Sequence, residues 1–137
     1  MRPVALVTGA RQGIGRAIAF QLARDGFDIA ATDLVIDDAA AGETQELIEG
    51  QGASCGLFRH DVADVDSHAA LVGQVVGLFG GIDVLVNNAG RGAVTRGDCL
   101  EITPENFDAV MDVNLRGTVF LSQAVAKAML GADRPHP

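Results

Sequence analysis

Residues 4–15 read VALVTGARQGIG, an apolar run of strand length that leads directly into a glycine-rich turn. The apolar run is short and continuous, so we predict a strand covered on both faces, as in a parallel sheet. The glycines of the turn have the spacing G-x-x-x-G-x-G. A glycine turn between a first strand and a first helix is typical of an α/β protein.

The rest of the chain repeats this alternation of apolar runs and helical periods, which predicts the order β-α-β-α-β-α-β-α. The predicted strands are 4–7, 27–33, 53–59 and 82–86, and the predicted helices are 15–24, 37–49, 66–79 and 104–130, with 112–114 as a candidate break. In the first helix, Ile14, Ile18, Ala19 and Leu22 have the spacing of one buried face. Right-handed crossovers then give a doubly wound, Rossmann-type parallel sheet with the strand order 3-2-1-4.

The chain reads as one domain over residues 1–137, with an irregular tail at 131–137. The alternation calls for a fifth strand at the point where this tail begins. We therefore expect the chain to be the N-terminal half of a domain of about 250 residues, truncated before its fifth strand.

Composition and charge argue against several classes of function. The net charge of −8 repels phosphate backbones and anionic lipid headgroups, so we expect neither a nucleic-acid nor a membrane partner. No leader of the secretory type is readable at the start of the chain, which favours a cytoplasmic protein. The two cysteines, Cys55 and Cys99, lack the spacing of metal ligands, so we predict no metal site.

The glycine turn has the features of a dinucleotide site. Gly9 allows a tight turn, Gly13 lets the backbone approach a pyrophosphate, and Gly15 lets the helix pack closely on the sheet. Free N–H groups at the helix start attract the anion. The candidate cofactor contacts of the turn are Gly9, Arg11, Gln12, Gly13, Ile14 and Gly15. A merely tight turn is the alternative interpretation.

Asp33 ends the second predicted strand and indicates which dinucleotide binds. A carboxylate there accepts hydrogen bonds from the ribose hydroxyls and repels a 2′-phosphate, which favours NAD(H). Arg11 is the contrary signal, because its guanidinium could reach such a phosphate, and NADP(H) stays an alternative. A solvated carboxylate at a strand end is the other interpretation of Asp33.

Three further motifs follow later strands or lie in the last helix: Asp61 with Val62, residues 87–90 (NNAG), and residues 112–114 (DVN). Strand carboxyl ends form the ligand crevice of an open α/β sheet, which is where the first two motifs fall. The NNAG segment taken alone would also suit an ordinary loop. Together with the glycine turn, the three motifs resemble the short-chain dehydrogenase/reductase family over most of the chain, from residue 4 to about residue 130.

The resemblance implies a role for each motif. Asp61 would bind the adenine amino group and Val62 would line the adenine ring. Asn87, Ala89 and Gly90 would close over the nicotinamide ribose, while Asn88 would tie the fourth strand to its neighbours. Asn114, the only candidate catalytic residue, would bend the last helix and anchor a water beside the catalytic lysine.

The same resemblance implies a homodimeric or homotetrameric oxidoreductase that interconverts a small secondary alcohol and a ketone by hydride transfer. Its catalytic serine and Tyr-x-x-x-Lys pair have no counterpart here, because the chain has no tyrosine and its only lysine is Lys127, predicted on a solvated helix face. We predict that the 137-residue chain alone is inactive. A non-catalytic NAD(H)-binding or scaffolding module is the alternative.

Several other side chains are expected to lie outside the site. The acidic residues Asp37, Asp38, Glu43, Glu46 and Glu49 are predicted to form a solvated helix face. His68 is placed on a helix flank. Among residues 92–99, Val94 or Arg96 is a candidate to face a substrate.

Overall fold

The first strand and the glycine turn form where the sequence predicts them. The computed structural model describes residues 1–133, in which β1 (Val4–Thr8) leads through the turn into α1 (Gly13–Arg24). The remaining elements are β2 (Asp28–Asp33), α2 (Ala39–Glu49), β3 (Cys55–Arg59), α3 (His68–Phe79), β4 (Val84–Val86), α4 (Pro104–Met111), a π-helical segment (Asp112–Gly117) and α5 (Thr118–Gly131). Short 3-10 turns lie at Val65–Ser67 and Cys99–Glu101.

In the described residues the sheet has four parallel strands in the order β3-β2-β1-β4, which confirms the predicted topology. β1 lies in the interior of the sheet and all five of its residues are buried, as its continuous apolar run requires. β4 pairs with β1 along one side, and its three residues are half-buried. Because parallel strands end at the same edge, the loops after β1, β2, β3 and β4 meet there.

Each face of the sheet carries its own apolar core. One core joins alternate residues of β1 and β2, such as Leu6 and Ala30, to α3 and α5. The other joins their sequence neighbours, such as Val7 and Ile29, to α1 and α2. This division follows from the two-residue period of a strand, since successive side chains point to opposite faces.

The predicted apolar face of α1 needs one correction. Ala19 is fully buried, and Ile18 and Leu22 pack on the core, but Ile14 is 74% exposed. Ile14 is the second residue of α1, where the chain has just left the sheet edge. Helical spacing places it on the apolar face, but Ile14 belongs to neither of the two apolar cores described for the sheet faces.

The last predicted helix is divided into three segments. A π-helical segment separates α4 from α5 and includes the predicted break at 112–114. Gly131 is helical, although the sequence places it in an irregular tail, and residues 134–137 lie outside the described part of the chain. Among residues 1–133, no helix has the length and hydropathy needed to cross a bilayer.

Candidate cofactor-binding site

A cavity of about 850 Å³ opens at the edge where the strand carboxyl ends meet. It is lined by the glycine turn after β1, by Asp33 at the end of β2, and by the loops after β3 and β4. The predicted site residues that line it are Gly9, Arg11, Gln12, Asp33, Asp61, Val62, Ala89 and Gly90. Gly13, Ile14, Gly15, Asn87 and Asn114 are not among the lining residues.

The start of α1 is open to an anion. Within residues 1–133, Gln12, its N-cap, makes no side-chain cap hydrogen bond, and the first turn contains no acidic residue. By contrast, Asp38 caps α2 and Thr103 caps α4. Gly13 has φ +60°, and no atom of the described part of the chain lies within 4 Å of the place a Cβ would occupy. The uncapped N–H groups and the positive end of the helix dipole therefore suit a phosphate at this position.

Gly15 allows α1 to pack against the turn that precedes it. A Cβ at position 15 would collide with the carbonyl oxygen of Gly9 and lie 2.5 Å from Nδ2 of Asn88. That Nδ2 donates hydrogen bonds to the carbonyl oxygens of Thr8 and Gly9, at 3.0 and 3.1 Å. Asn88 thus ties the loop after β4 to the end of β1, as predicted.

Thr8 fixes the same loop and was missed by the sequence analysis. Its Oγ1 accepts hydrogen bonds from the N–H groups of Asn88 and Ala89, at 3.0 and 2.9 Å, and the residue is only 1% exposed. These bonds hold Ala89 and Gly90 at the cavity. The sequence offered one indication of this role, namely that Thr8 places a hydroxyl group at the end of an otherwise apolar strand. Asn87 points elsewhere, because its Nδ2 donates to Oγ of Ser122 at 2.9 Å.

The carboxylate of Asp33 is held in place by the backbone at the cavity wall. One oxygen accepts from the N–H of Arg11 at 3.1 Å and the other from the N–H of Leu34 at 2.8 Å. Each carboxylate oxygen can accept more than one hydrogen bond. Asp33 therefore retains capacity for ribose hydroxyls while its orientation is already set.

The acidic residues around α2 are not a purely solvated face, which corrects the prediction. Asp38 pairs with Arg11 at 2.8 Å, Glu43 with Arg16 at 3.0 Å, and Asp37 with Arg59 at 3.3 Å. The hydrogen bond from the N–H of Ala41 is the main cause that lowers the pKa of Asp38; partial burial opposes it, and the Arg11 guanidinium lowers the pKa further. The start of α2 is thus joined electrostatically to the glycine turn, which sequence spacing alone does not reveal.

The loop after β3 forms the far end of the cavity. Asp61 caps its own turn, with Oδ1 accepting from the N–H of Ala63 at 2.9 Å, and Val62 is buried. His68 begins α3 and is buried: it is 2% exposed, and its Nε2 lies 2.9 Å from the carbonyl oxygen of Val62. Gly117 of the π-helical segment packs against Val62, where a Cβ would collide with that carbonyl oxygen.

His60, the first residue of the loop after β3, lies at the cavity wall. It is 7% exposed, and its ring centroid is 5.1 Å from that of His68. Desolvation by burial and the neighbouring His68 lower the pKa of His60, and the carboxylates of Asp61 and Asp64 oppose them. The ring is therefore held in its neutral form at neutral pH.

Asn114 lies beside the cavity, while Asp112 and Val113 from the same segment line it. Of the two residues proposed to face a substrate, Arg96 lines the cavity, whereas Val94 does not and is 59% exposed. Lys127 is exposed on α5, as predicted.

The parallel sheet, the uncapped helix start and the acidic residue that ends β2 define a Rossmann-type α/β protein. The family model described as short chain dehydrogenase matches residues 3–135, and the chain belongs to this family.

Relatives of known name support this assignment. The chain is 38% identical over 127 residues to 2-dehydro-3-deoxy-D-gluconate 5-dehydrogenase of Dickeya dadantii (strain 3937), with 93% of this chain and 48% of that protein covered. It is 39% identical over 131 residues to a 3-oxoacyl-[acyl-carrier-protein] reductase of Staphylococcus aureus, with 95% and 52% covered. The chain therefore spans about half the length of the curated relatives it matches.

A crystal structure of a 3-oxoacyl-[acyl-carrier protein] reductase from Brucella melitensis in complex with NAD has the same fold. The two chains are 57% identical with a TM-score of 0.91, and the match covers 98% of this chain and 52% of that one.

Proposed function

We propose that this chain binds a nicotinamide dinucleotide in the cavity at the strand ends, with NAD(H) preferred over NADP(H). The observation that carries the proposal is the continuity of one cavity from the glycine turn past Asp33 to Val62 on one side and Gly90 on the other. Family membership and the NAD complex of the Brucella melitensis relative support a nicotinamide dinucleotide as the ligand.

Each part of the cavity suits one part of such a ligand. The uncapped start of α1 takes the pyrophosphate, with Gly13 and Ile14 on the open side. Asp33 accepts hydrogen bonds from the adenosine ribose, and its negative charge disfavours a 2′-phosphate. Asp61 and Val62 hold the adenine.

The opposite end of the cavity suits the nicotinamide ribose. Ala89 and Gly90 lie there, held by Thr8. Asn87 belongs to the same loop. Because its side chain contacts Ser122, it would close over the ribose with its backbone. When bound, the nicotinamide supplies or accepts the hydride.

The whole protein, in this proposal, is a cytoplasmic oxidoreductase that interconverts a small secondary alcohol and a ketone as a homodimer or homotetramer. Residues 1–137 are the cofactor-binding part of its Rossmann domain, and Asn114 anchors a water that contacts the catalytic lysine. Dehydrogenases and reductases among the relatives support this reaction class. The chain alone lacks a tyrosine and is inactive in hydride transfer.

Fluorescence titration of the 137-residue chain with NADH and with NADPH tests the proposal. The chain contains neither tryptophan nor tyrosine, so cofactor emission is measured without interference from the protein. We expect saturable binding of NADH and weaker binding of NADPH. No saturable binding of either dinucleotide would overturn the proposal.

Asp33→Ala tests the basis of the preference. The variant should bind NADH about tenfold more weakly, because a charge-assisted hydrogen bond is lost, and should discriminate less against NADPH. Asp66→Ala is the matched control, since Asp66 is exposed and does not line the cavity. An unchanged ratio of the two affinities in Asp33→Ala would remove the argument for NAD(H).

A further inference from the structure

Arg11 lines the proposed dinucleotide cavity, yet its guanidinium is already occupied. Its Nε and one terminal nitrogen both bond to the same carboxylate oxygen of Asp38, each at 2.8 Å. Asp38 also caps α2 through its other oxygen, which accepts from the N–H of Ala41 at 2.9 Å. The guanidinium therefore points toward the start of α2 and is fixed there by a charge-assisted pair.

The backbone of Arg11 is held by different partners. Its N–H donates to Asp33, and its carbonyl oxygen accepts from Oγ1 of Thr44 at 2.7 Å and from the guanidinium of Arg16 at 3.0 Å. None of these bonds involves Asp38. Loss of the Asp38 charge would thus release the guanidinium without releasing the turn that carries it.

The released guanidinium would lie close to the position that decides between the two dinucleotides. Because the Arg11 N–H is bonded to the Asp33 carboxylate, the side chain originates beside the residue proposed to bind the ribose. Guanidinium groups bind phosphate strongly and in a planar, two-bond geometry. A free Arg11 would offset the repulsion between Asp33 and a 2′-phosphate.

We propose that Asp38 is a specificity-determining positioning residue: it draws the Arg11 guanidinium away from the adenosine ribose, so that a 2′-phosphate meets only the carboxylate of Asp33. This inference rests on the proposed function, since it requires a nicotinamide dinucleotide in the cavity. Two carboxylates then act against NADP(H): that of Asp33 repels the 2′-phosphate, and that of Asp38 keeps the Arg11 guanidinium away from it.

Asp38→Asn separates these effects. Asparagine caps helices as well as aspartate does, so α2 keeps its cap, while the charge that holds Arg11 is removed. We expect the affinity for NADPH to rise about threefold to tenfold and that for NADH to change by less than about twofold, as one exposed phosphate contact is gained. If Asp38 had a purely structural role, Asp38→Asn would lower the affinity for both dinucleotides alike.

Asp37→Asn is the matched control. It makes the same change in net charge at the neighbouring residue, but Asp37 pairs with Arg59 and not with Arg11. Its ratio of NADPH to NADH affinity should equal that of the unmodified chain. The double variant Asp38→Asn with Arg11→Gln should lose the gain in NADPH affinity, because no guanidinium remains to be released.

The same titrations separate failure of this inference from failure of the proposed function. If the unmodified chain binds neither dinucleotide, the proposed function is wrong and the inference falls with it. If it binds NADH but Asp38→Asn has the same ratio as Asp37→Asn, only the inference is overturned. A gain that persists in the double variant also overturns it. Asp38→Ser, which likewise keeps a capping oxygen, provides the same test if Asp38→Asn does not fold.

Discussion

The side-chain amide of Asn114 forms two hydrogen bonds with the backbone of Arg91. Its Oδ1 accepts from the N–H and its Nδ2 donates to the carbonyl oxygen, each at 2.8 Å. Asn114 lies in the π-helical segment, and Arg91 follows the loop that ends at Gly90. The irregular turn of the last helix thus fixes the chain where it leaves the cavity, in keeping with the frequent occurrence of π-helical turns at functional sites.

Replacing Asn114 with alanine should loosen this end of the cavity. We expect Asn114→Ala to lower the free energy of unfolding by about 1–2 kcal/mol and to weaken NADH binding about threefold to tenfold, since Arg91 and Gly90 line the cavity. Urea unfolding and fluorescence titration measure the two effects.

Asn106→Ala is the control for Asn114→Ala. Its amide makes the same kind of paired contact farther along the loop, accepting from the N–H of Val94 and donating to the carbonyl of Thr95, both at 2.8 Å. It should reduce stability by a similar amount but leave NADH binding within about twofold. Equal losses of binding in the two variants would contradict the role given to Asn114.

Gly15→Ala should be severely destabilising. The added methyl group would collide with the Gly9 carbonyl oxygen, so α1 must move from the turn at a cost of about 3 kcal/mol or more. Gly73→Ala in α3 is the contrasting case, because no atom of residues 1–133 lies within 4 Å of its Cβ position. That variant should gain about 0.5–1 kcal/mol from helix propensity. Thermal melts followed by circular dichroism would report both shifts, and a stable Gly15→Ala would refute the close contact.

Thr8→Val should cost about 2–3 kcal/mol in the free energy of unfolding. Valine has nearly the same shape but leaves the N–H groups of Asn88 and Ala89 without their acceptor in a buried setting. NADH binding should fall with it, because these N–H groups position Ala89. Thr32→Val is a suitable comparison: Thr32 is the register partner of Thr8 in β2, and within the described residues its hydroxyl makes no bond to the loop after β4. A Thr8→Val variant no less stable than Thr32→Val would disprove this role.

Stability should fall as the pH is lowered through the range where His60 titrates. The pKa of His60 is lowered in the folded chain, so the unfolded chain takes up the proton first, near pH 6.5. The contribution of His60 to the free energy of unfolding is therefore complete above about pH 6.5. It is lost as the pH falls toward the lower pKa of the folded state. Urea midpoints at pH 7.5, 6.0 and 5.0 should decline less steeply in His60→Gln than in the unmodified chain. Parallel declines would show that another group is responsible.

Local sequence patterns account for most of the fold. Each strand and each helix up to β4 forms within a few residues of its predicted position, because apolar runs, helical periods and terminating glycines act over short distances. The exposure of Ile14 was not predicted. Helical spacing shows which residues share a face, but the tertiary structure decides which of them the core covers.

The candidate site could likewise be predicted from the sequence only in part. The motifs at strand ends predicted which loops would meet, because parallel strands bring their carboxyl ends to one edge. The partners of Asp38 and the burial of His68 were not predictable, since each depends on contacts between segments far apart in the chain. The hydrogen bonds of Thr8 with the loop after β4 join residues about 80 positions apart.

The sequence by itself determined the parallel sheet, its strand order and the glycine turn, because these follow from periodicity, chain handedness and the absence of side chains at three positions. Only the tertiary structure decided that Arg11 turns toward Asp38, that Thr8 holds Ala89, and that Asn114 fixes Arg91. Those choices depend on the relative placement of separate elements, which is set when the two cores pack on opposite faces of the sheet.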